Sequence, residues 1–197
     1  VAERTDPRTR GLVSRWWKYL GAPGSERLFR LPDGPAIEAV LMGYPGRTTL
    51  CISSQAGCAL GCTFCATGQF GFERNLRAGE IVAQVQWAEA SLRDRPMPGS
   101  PDRVTNIVYM GMGEPMNNYD AVMRATEIFN DQRTNMVAPR RTTLSTAGVV
   151  PGILRMAEEG RIIKLALSLH ATTQGVREKL MPIAKRWPLH VVMEALE

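Results

Sequence analysis

Between residues 106 and 169 the chain alternates short apolar runs with amphipathic stretches, and this alternation limits its fold more than any other feature. Asn106–Met110 (NIVYM) reads as a buried strand, Tyr119–Asn130 as a helix and Arg141–Thr146 as a second strand. A helix across Pro151–Glu159 and a third strand at Ile162–Leu169 (IIKLALSL) follow, with short helical pieces beyond Thr173. Short strands separated by helices become parallel neighbours joined by crossovers, the α/β class. Ligands of such folds gather at the C-terminal ends of the strands. Upstream, Ile37–Met42 and Thr48–Ser53 flank the turn Gly43-Tyr44-Pro45-Gly46 and predict a β-hairpin. A helix is expected from about Ala78 to Arg93, with Ile81, Val85, Ala88 and Leu92 on one face.

The 197 residues are enough for one domain with a real core, and 44% apolar with 22% charged residues excludes a disordered tail or a fibre. Residues 1–34, with Arg15-Trp16-Trp17-Lys18 and the turn-like GAPGSE, are set apart as a peripheral N-terminal segment. Residues 35–197 are taken as the α/β domain. No stretch has the apolar length of a membrane helix, and VAERTDPRTR lacks the apolar region of a secretory signal. The expectation is a soluble cytoplasmic protein with no membrane partner. Net charge is +5, and only four of the 24 basic residues are lysines. Arginine suits phosphate contacts, so RNA is a compatible partner; a GC-rich genome would give the same bias.

The four cysteines, Cys51, Cys58, Cys62 and Cys65, all fall within fifteen residues. A secreted disulfide framework spreads its cysteines along the chain, so the clustering points to metal or redox chemistry in a reducing compartment. Cys62-x2-Cys65 has zinc-like spacing, but a structural zinc site wants a second pair of ligands. His170 and His190 lie far downstream, and Cys51 sits within a strand pattern. Three thiolates suit instead a [4Fe–4S] cluster with one iron open to a small molecule. Gly57, Gly61 and Gly68 would let the backbone wrap closely around it. Phe64 would shield a cluster face or simply pack in the core.

Cys58-x3-Cys62-x2-Cys65 after a strand resembles the radical S-adenosylmethionine (SAM) superfamily. The longer run SSQAGCALGCTFCATGQFGFERNLRAGEIVAQV resembles one of its families, the dual-specificity 23S rRNA/tRNA adenine-C2 methyltransferases. The likeness continues through Gly111-Met112-Gly113-Glu114-Pro115, the segment Leu144–Pro151 and Leu167-Ser168-Leu169-His170-Ala171, ending in Leu180-Met181-Pro182-Ile183. It implies a partial (βα) barrel of radical SAM type, truncated at both ends, with residues 1–34 a remnant of the linker to an absent helical domain.

By this resemblance Cys58, Cys62 and Cys65 hold the cluster, whose free iron binds the amino and carboxylate groups of SAM. Electron transfer then cleaves the sulfonium to a 5′-deoxyadenosyl radical. Gly113, Glu114, Ser145, Ser168, Leu169 and His170 fall on the SAM-contacting positions, with Glu114 accepting from a cationic amine. Glu38 matches a proton-accepting carboxylate that removes the C2 hydrogen of adenine. Cys51 matches a cysteine that forms a transient disulfide with a distant methyl-carrying cysteine, which has no counterpart after Cys65. The implied partners are 23S rRNA, tRNA and an electron donor such as flavodoxin, with the protein a monomer. Three other readings stay open: the related C8-specific rRNA adenine methyltransferase, a non-catalytic Fe–S or RNA-binding fragment, and a zinc-stabilised module. Without the second cysteine, this polypeptide is not expected to complete a methyl transfer alone.

Overall fold

A computed structural model describes residues 24–131, 133–134 and 136–197. Its main sheet has six strands in the order β1 (Gly24–Arg30), β2 (Ala36–Tyr44), β3 (Arg47–Cys51), β6 (Asn106–Tyr109), β7 (Thr142–Thr146) and β8 (Lys164–Leu167). β1, β2 and β3 pair antiparallel, whereas β3, β6, β7 and β8 are parallel. A separate two-stranded ribbon, β4 (Gln55–Gly57) and β5 (Phe72–Asn75), carries the loop that holds three of the cysteines. The helices are α1 (Ala66–Gln69), α2 (Ala78–Asp94), α3 (Tyr119–Asn130), α4 (Val150–Glu158), α5 (Gln174–Leu180) and α6 (Leu189–Glu194).

The hairpin of β2 and β3, the parallel strands and the long helices agree with the sequence reading. The predicted face of α2 is buried throughout: Ile81, Val85, Ala88 and Leu92 are each at 0% exposure, against Leu50, Ile107 and Leu144 of the strands. Two points differ. β1 lies inside the segment set apart as peripheral, yet it runs along β2 from Gly24↔Met42 to Arg30↔Ala36. Its Phe29 packs edge-on against Trp87 of α2, with ring centroids 5.5 Å apart. The boundary at residue 34 therefore does not separate β1 from the domain; residues 1–23, including the tryptophan pair, lie outside the described residues. β8 is shorter than expected, since Ile162 remains exposed and pairing begins at Lys164. The short helices expected beyond Thr173 are α5 and α6, the latter closing at Glu194. Among the described residues, no helix is long and apolar enough to cross a membrane.

Polar contacts fasten the loops above the strands. Gln84 of α2 is buried, and its side chain spans both main-chain groups of Ser53: Oε1 accepts from Ser53 N (2.9 Å) and Nε2 donates to Ser53 O (3.0 Å). Asn118 Nδ2 donates to Ser54 O and Leu76 O, each at 2.8 Å. Arg74 of β5 bridges Asp33 and Glu80, tying the β1–β2 turn to the start of α2. A buried peptide group stripped of its partner costs about 1–3 kcal/mol. Gln84→Leu, which keeps the volume and removes both contacts, is expected to lower unfolding free energy by about 2–4 kcal/mol in urea titration. A loss within about 0.5 kcal/mol would mean that water replaces the side chain at no cost.

Candidate active site

Strand pleat decides which residues face the site. Leu50, Ile107 and Leu144 point into the helix-covered core, so their neighbours Cys51, Val108, Thr143 and Ser145 occupy the other face. Cys51 lies opposite Val40, and Glu38, two residues along β2, shares that face. Ser168 follows β8, and its Oγ stands 3.1 Å from Ser145 Oγ. Both serines thus meet on the inner face near the strands' C-terminal ends.

The cysteine loop begins where β4 ends. Gly57 has φ +73°, and a Cβ there would collide with Gly71 O, the same carbonyl that accepts from Cys58 N at 2.9 Å. Only glycine lets the ribbon close this tightly. Cys65 N donates to Cys62 O (3.1 Å), and Thr63 N donates to Leu180 O (2.9 Å), docking the loop on α5. Cys58, Cys62 and Cys65 are free thiols of intermediate exposure. Burial raises the Cys62 pKa to about 11, with Cys58, Cys65 and Glu114 adding repulsion. Burial likewise raises Cys58, with smaller contributions from Glu114 and Cys65. The three cysteines and Glu114 are therefore near enough to feel one another's charge. Among the described residues, no three His, Cys, Asp or Glu side chains are grouped to hold a single metal ion. Three thiols on one short loop suit a multi-iron cluster, whose positive irons would remove the protons that burial retains.

The loop after β6 lies directly against Ser53–Gln55. Ser54 N and Gln55 N both donate to Met112 O, Met112 N donates to Ser53 Oγ (2.9 Å), and Glu114 N donates to Gln55 Oε1 (2.8 Å). A Cβ at Gly111 would sit 2.7 Å from Ile52 O, and one at Gly113 (φ +98°) 2.5 Å from Gln55 Cβ. The close approach that Gly113 permits is thus to this chain's own Gln55. The Glu114 carboxylate is 3% exposed; Oε1 accepts from Met116 N (3.1 Å) and Oε2 from Ala147 N (2.8 Å). It joins the ends of β6 and β7 and keeps acceptor capacity, because a carboxylate offers about four sites. Burial raises its pKa, against those hydrogen bonds and one from Thr146.

His170 is the non-glycine residue with positive φ (55°) among those described. Ala171 N donates to Leu169 O at 2.7 Å, closing a tight three-residue turn with His170 at its centre. Such backbone is strained and holds the ring exposed, 4.3 Å from the Phe64 ring between centroids. Phe64, itself 49% exposed, is not packed in the core. Leu169 is also exposed. Cys51 stands apart: the Met110 backbone N–H faces its sulfur, and burial pushes its thiol up to about 11. Burial also raises Glu38, and Glu26 across the strand pair adds to this.

Sequence reasoning missed Gln55, Ser53, Glu26 and Arg177. Gln55 and Ser53 stand beside the cysteines in a polar Ser-Ser-Gln triplet after an apolar strand, a visible signal. Glu26 lies on the strand that was not foreseen. Arg177 is fully buried on a short charged helix, where nothing in QGVREKL announces it.

Comparison with known proteins agrees with this geometry. Residues 52–197 match the sequence model of the radical SAM superfamily. The chain is 52% identical over 178 residues to the probable dual-specificity RNA methyltransferase RlmN of Chloroflexus aurantiacus, covering 89% of this chain and 47% of that protein. It is 50% identical over 177 residues to the protein of the same name from Bifidobacterium adolescentis, covering 89% and 46%. A radical SAM methyltransferase from Sphaerobacter thermophilus, solved by crystallography, superposes with TM-score 0.82 at 48% identity, over 87% of this chain and 49% of that one. The chain spans about half the length of the curated relatives it matches. A family match over most of the sequence, with the cysteine loop in place after β4, establishes that the chain belongs to the radical SAM superfamily.

Proposed function

We propose that this chain is the cluster- and SAM-binding part of a methyltransferase that places a methyl group on C2 of adenine in 23S rRNA and tRNA. The observation that carries the reading is the buried Glu114 carboxylate held across the ends of β6 and β7, within range of the charges of Cys58 and Cys62, with the Ser145 and Ser168 hydroxyls 3.1 Å apart on the inner face. The relatives' names supply the RNA and the dual specificity. Cys58, Cys62 and Cys65 would hold the [4Fe–4S] cluster, which supplies one electron to the SAM sulfonium and so opens radical chemistry.

This chain's residues bind, orient and handle protons. Glu114, fixed by two main-chain donors, offers its remaining lone pairs to the SAM amino group. The Ser145–Ser168 pair gives two hydroxyls on the inner face, suited to the hydroxyls and carboxylate of the same ligand. Leu169 and His170, held out by the tight turn, line its far side, and Phe64 limits water at the cysteine loop. Glu38 takes the C2 proton of adenine at its carboxylate oxygen; partial burial raises its proton affinity toward that task. Cys51, half-buried on the same face, would attack the sulfur of a second cysteine that holds the carried carbon on adenine, forming a disulfide as the S–C bond breaks and its electron pair passes to the departing carbon, which then takes up a proton. No such second thiol stands among this chain's cysteines, so the complete transfer is assigned to the whole protein. A flavodoxin-type reductant, action as a monomer and a cytoplasmic setting belong to the same proposal.

Anaerobic reconstitution should give about four irons per chain and a reduced-state EPR signal that changes when SAM is added. Cys58→Ala, Cys62→Ala and Cys65→Ala should each abolish it, while Cys51→Ala keeps it. Stoichiometric zinc in place of iron would overturn the reading. Nucleoside analysis of RNA treated with the whole protein should show 2-methyladenosine; 8-methyladenosine would move the assignment to the C8 enzymes.

Glu38 makes a separate prediction. Its folded pKa lies above the usual 4.5, so the native state keeps a proton that the unfolded chain has released. That stabilisation is complete at low pH and is lost as pH rises through the raised value. Glu38→Gln removes this slope, so the variant should gain stability relative to the parent between pH 4 and 7. Urea titrations showing a difference that stays constant with pH would refute it.

A further inference from the structure

One nitrogen of a buried arginine beside the cysteine loop is left unused by the fold. Arg177 of α5 is at 0% exposure. Its Nη2 donates to Ala147 O at 2.6 Å and its Nε to Leu169 O at 3.3 Å, carbonyls just beyond β7 and β8. Its Nη1 is buried with no hydrogen-bond partner. None of the ion pairs among the described residues includes it. Residue 148 is a glycine with φ +100°, and a Cβ there would come within 3.3 Å of Nη2, so the guanidinium sits tightly between the two strand ends.

A guanidinium does not shed its proton in a protein, and a buried charge must be met by an opposite one. Glu114 is held off by the Ala147 backbone, whose N–H it takes while Arg177 takes the C=O, and the fold brings a second candidate on the cysteine loop. Leu180, at the end of the same helix, accepts from Thr63 N, which joins Arg177's helix to the residue after Cys62. Cys62 is the acidic group whose charge favours the guanidinium, against the burial that opposes it. As a neutral thiol it compensates nothing; as an iron-bound thiolate it would.

We propose that Arg177 is the buried counter-charge on the Cys62 side of the iron–sulfur site, a positioning residue that also raises the cluster's reduction potential. This rests on the cluster assignment of Cys58, Cys62 and Cys65 made above. Reduction adds one electron, from an external one-electron reductant, and no atom is transferred. A fixed cation in a poorly solvated site favours the more negative reduced state. A hydrogen bond from the unpartnered Nη1 to a cluster or thiolate sulfur would act in the same direction, since such bonds raise these potentials.

The test is an anaerobic redox titration of the reconstituted 197-residue chain, with dithionite as reductant and the EPR signal as readout. Arg177→Met should make reduction at least tenfold less favourable, about 59 mV more negative for one electron. Arg177→Lys, which keeps the charge, should stay within about threefold of the parent. An Arg177→Met cluster at the parent's potential would overturn the proposal. If Arg177→Met takes up no cluster, Arg177→Lys decides: recovered loading supports the counter-charge, and a folded but empty lysine variant refutes it. Unfolding of both variants by circular dichroism would assign the residue to the fold alone. A parent chain that binds no iron would instead sink the cluster assignment itself.

Discussion

The site depends on the contact between two loops, Gly111–Glu114 after β6 and Ser53–Gln55 after β3. Two residues without side chains, Gly111 and Gly113, let the first backbone lie on the second. Met112 O, Ser53 Oγ and Gln55 Oε1 then lock the pair. Every other part of the site is referenced to this seam. Glu114 emerges from it already aimed at β7, and Gln55 passes it on to Asn75 of β5 through a 2.7 Å bond. Because β4 starts at Gln55, the same seam sets where Cys58 begins. Adding a Cβ at Gly113 would force apart the carboxylate and the cysteine loop together, since they share one support.

Above the seam, two ionisable groups of opposite sign are buried at the strand ends without touching each other. Glu114 is met by main-chain N–H groups, two of them at 2.8 and 3.1 Å. Arg177 is met by main-chain carbonyls. Both use Ala147: its N–H donates to Glu114 and its C=O accepts from Arg177. One residue thus spaces a carboxyl group from a guanidinium, and direct pairing between them is avoided. Held apart, neither group cancels the other's field at the strand ends.

How much of this the sequence discloses depends on the range of the interaction that fixes each part. The inward face of α2 was legible because its determinant is local: four apolar residues at helical spacing, all at 0% exposure. The same holds for the β2–β3 hairpin and for the cysteine loop, whose glycines and thiols lie within a few residues. β1 was hidden because Ser25, Glu26, Arg27 and Arg30 dilute its apolar signal. Its pairing depends on β2, and its anchor, Phe29 on Trp87, lies 58 positions away. Gly113 stands in a visible Gly-Met-Gly turn after a strand, but the neighbour that its backbone approaches, Gln55, is not deducible from spacing. Arg177 was illegible for the plainest reason. A charged residue on a short polar helix is normally solvated, and only the packing of α5 on the cysteine loop buries it.

The alternation of the strands gives this fold its economy. Leu50 and Cys51 are adjacent in β3, yet one is sealed among the helices and the other lies on the opposite face of the sheet. A register shift of one residue would exchange them, and with them Leu144 and Ser145. The apolar set therefore fixes the reactive set, because burying Leu50, Ile107 and Leu144 together permits only the register that also aligns Cys51, Val108 and Ser145. Glu38 is drawn into the same arrangement by β2, where Ile37 and Ala39 point to the core and hold the carboxylate on the opposite side. The half-buried setting that raises its proton affinity follows from its parity in the strand and from Glu26 beside it, without any residue dedicated to that purpose. The hydrophobic effect thus places groups it does not itself stabilise, and the polar seam needs only to fix the loops that extend beyond the sheet.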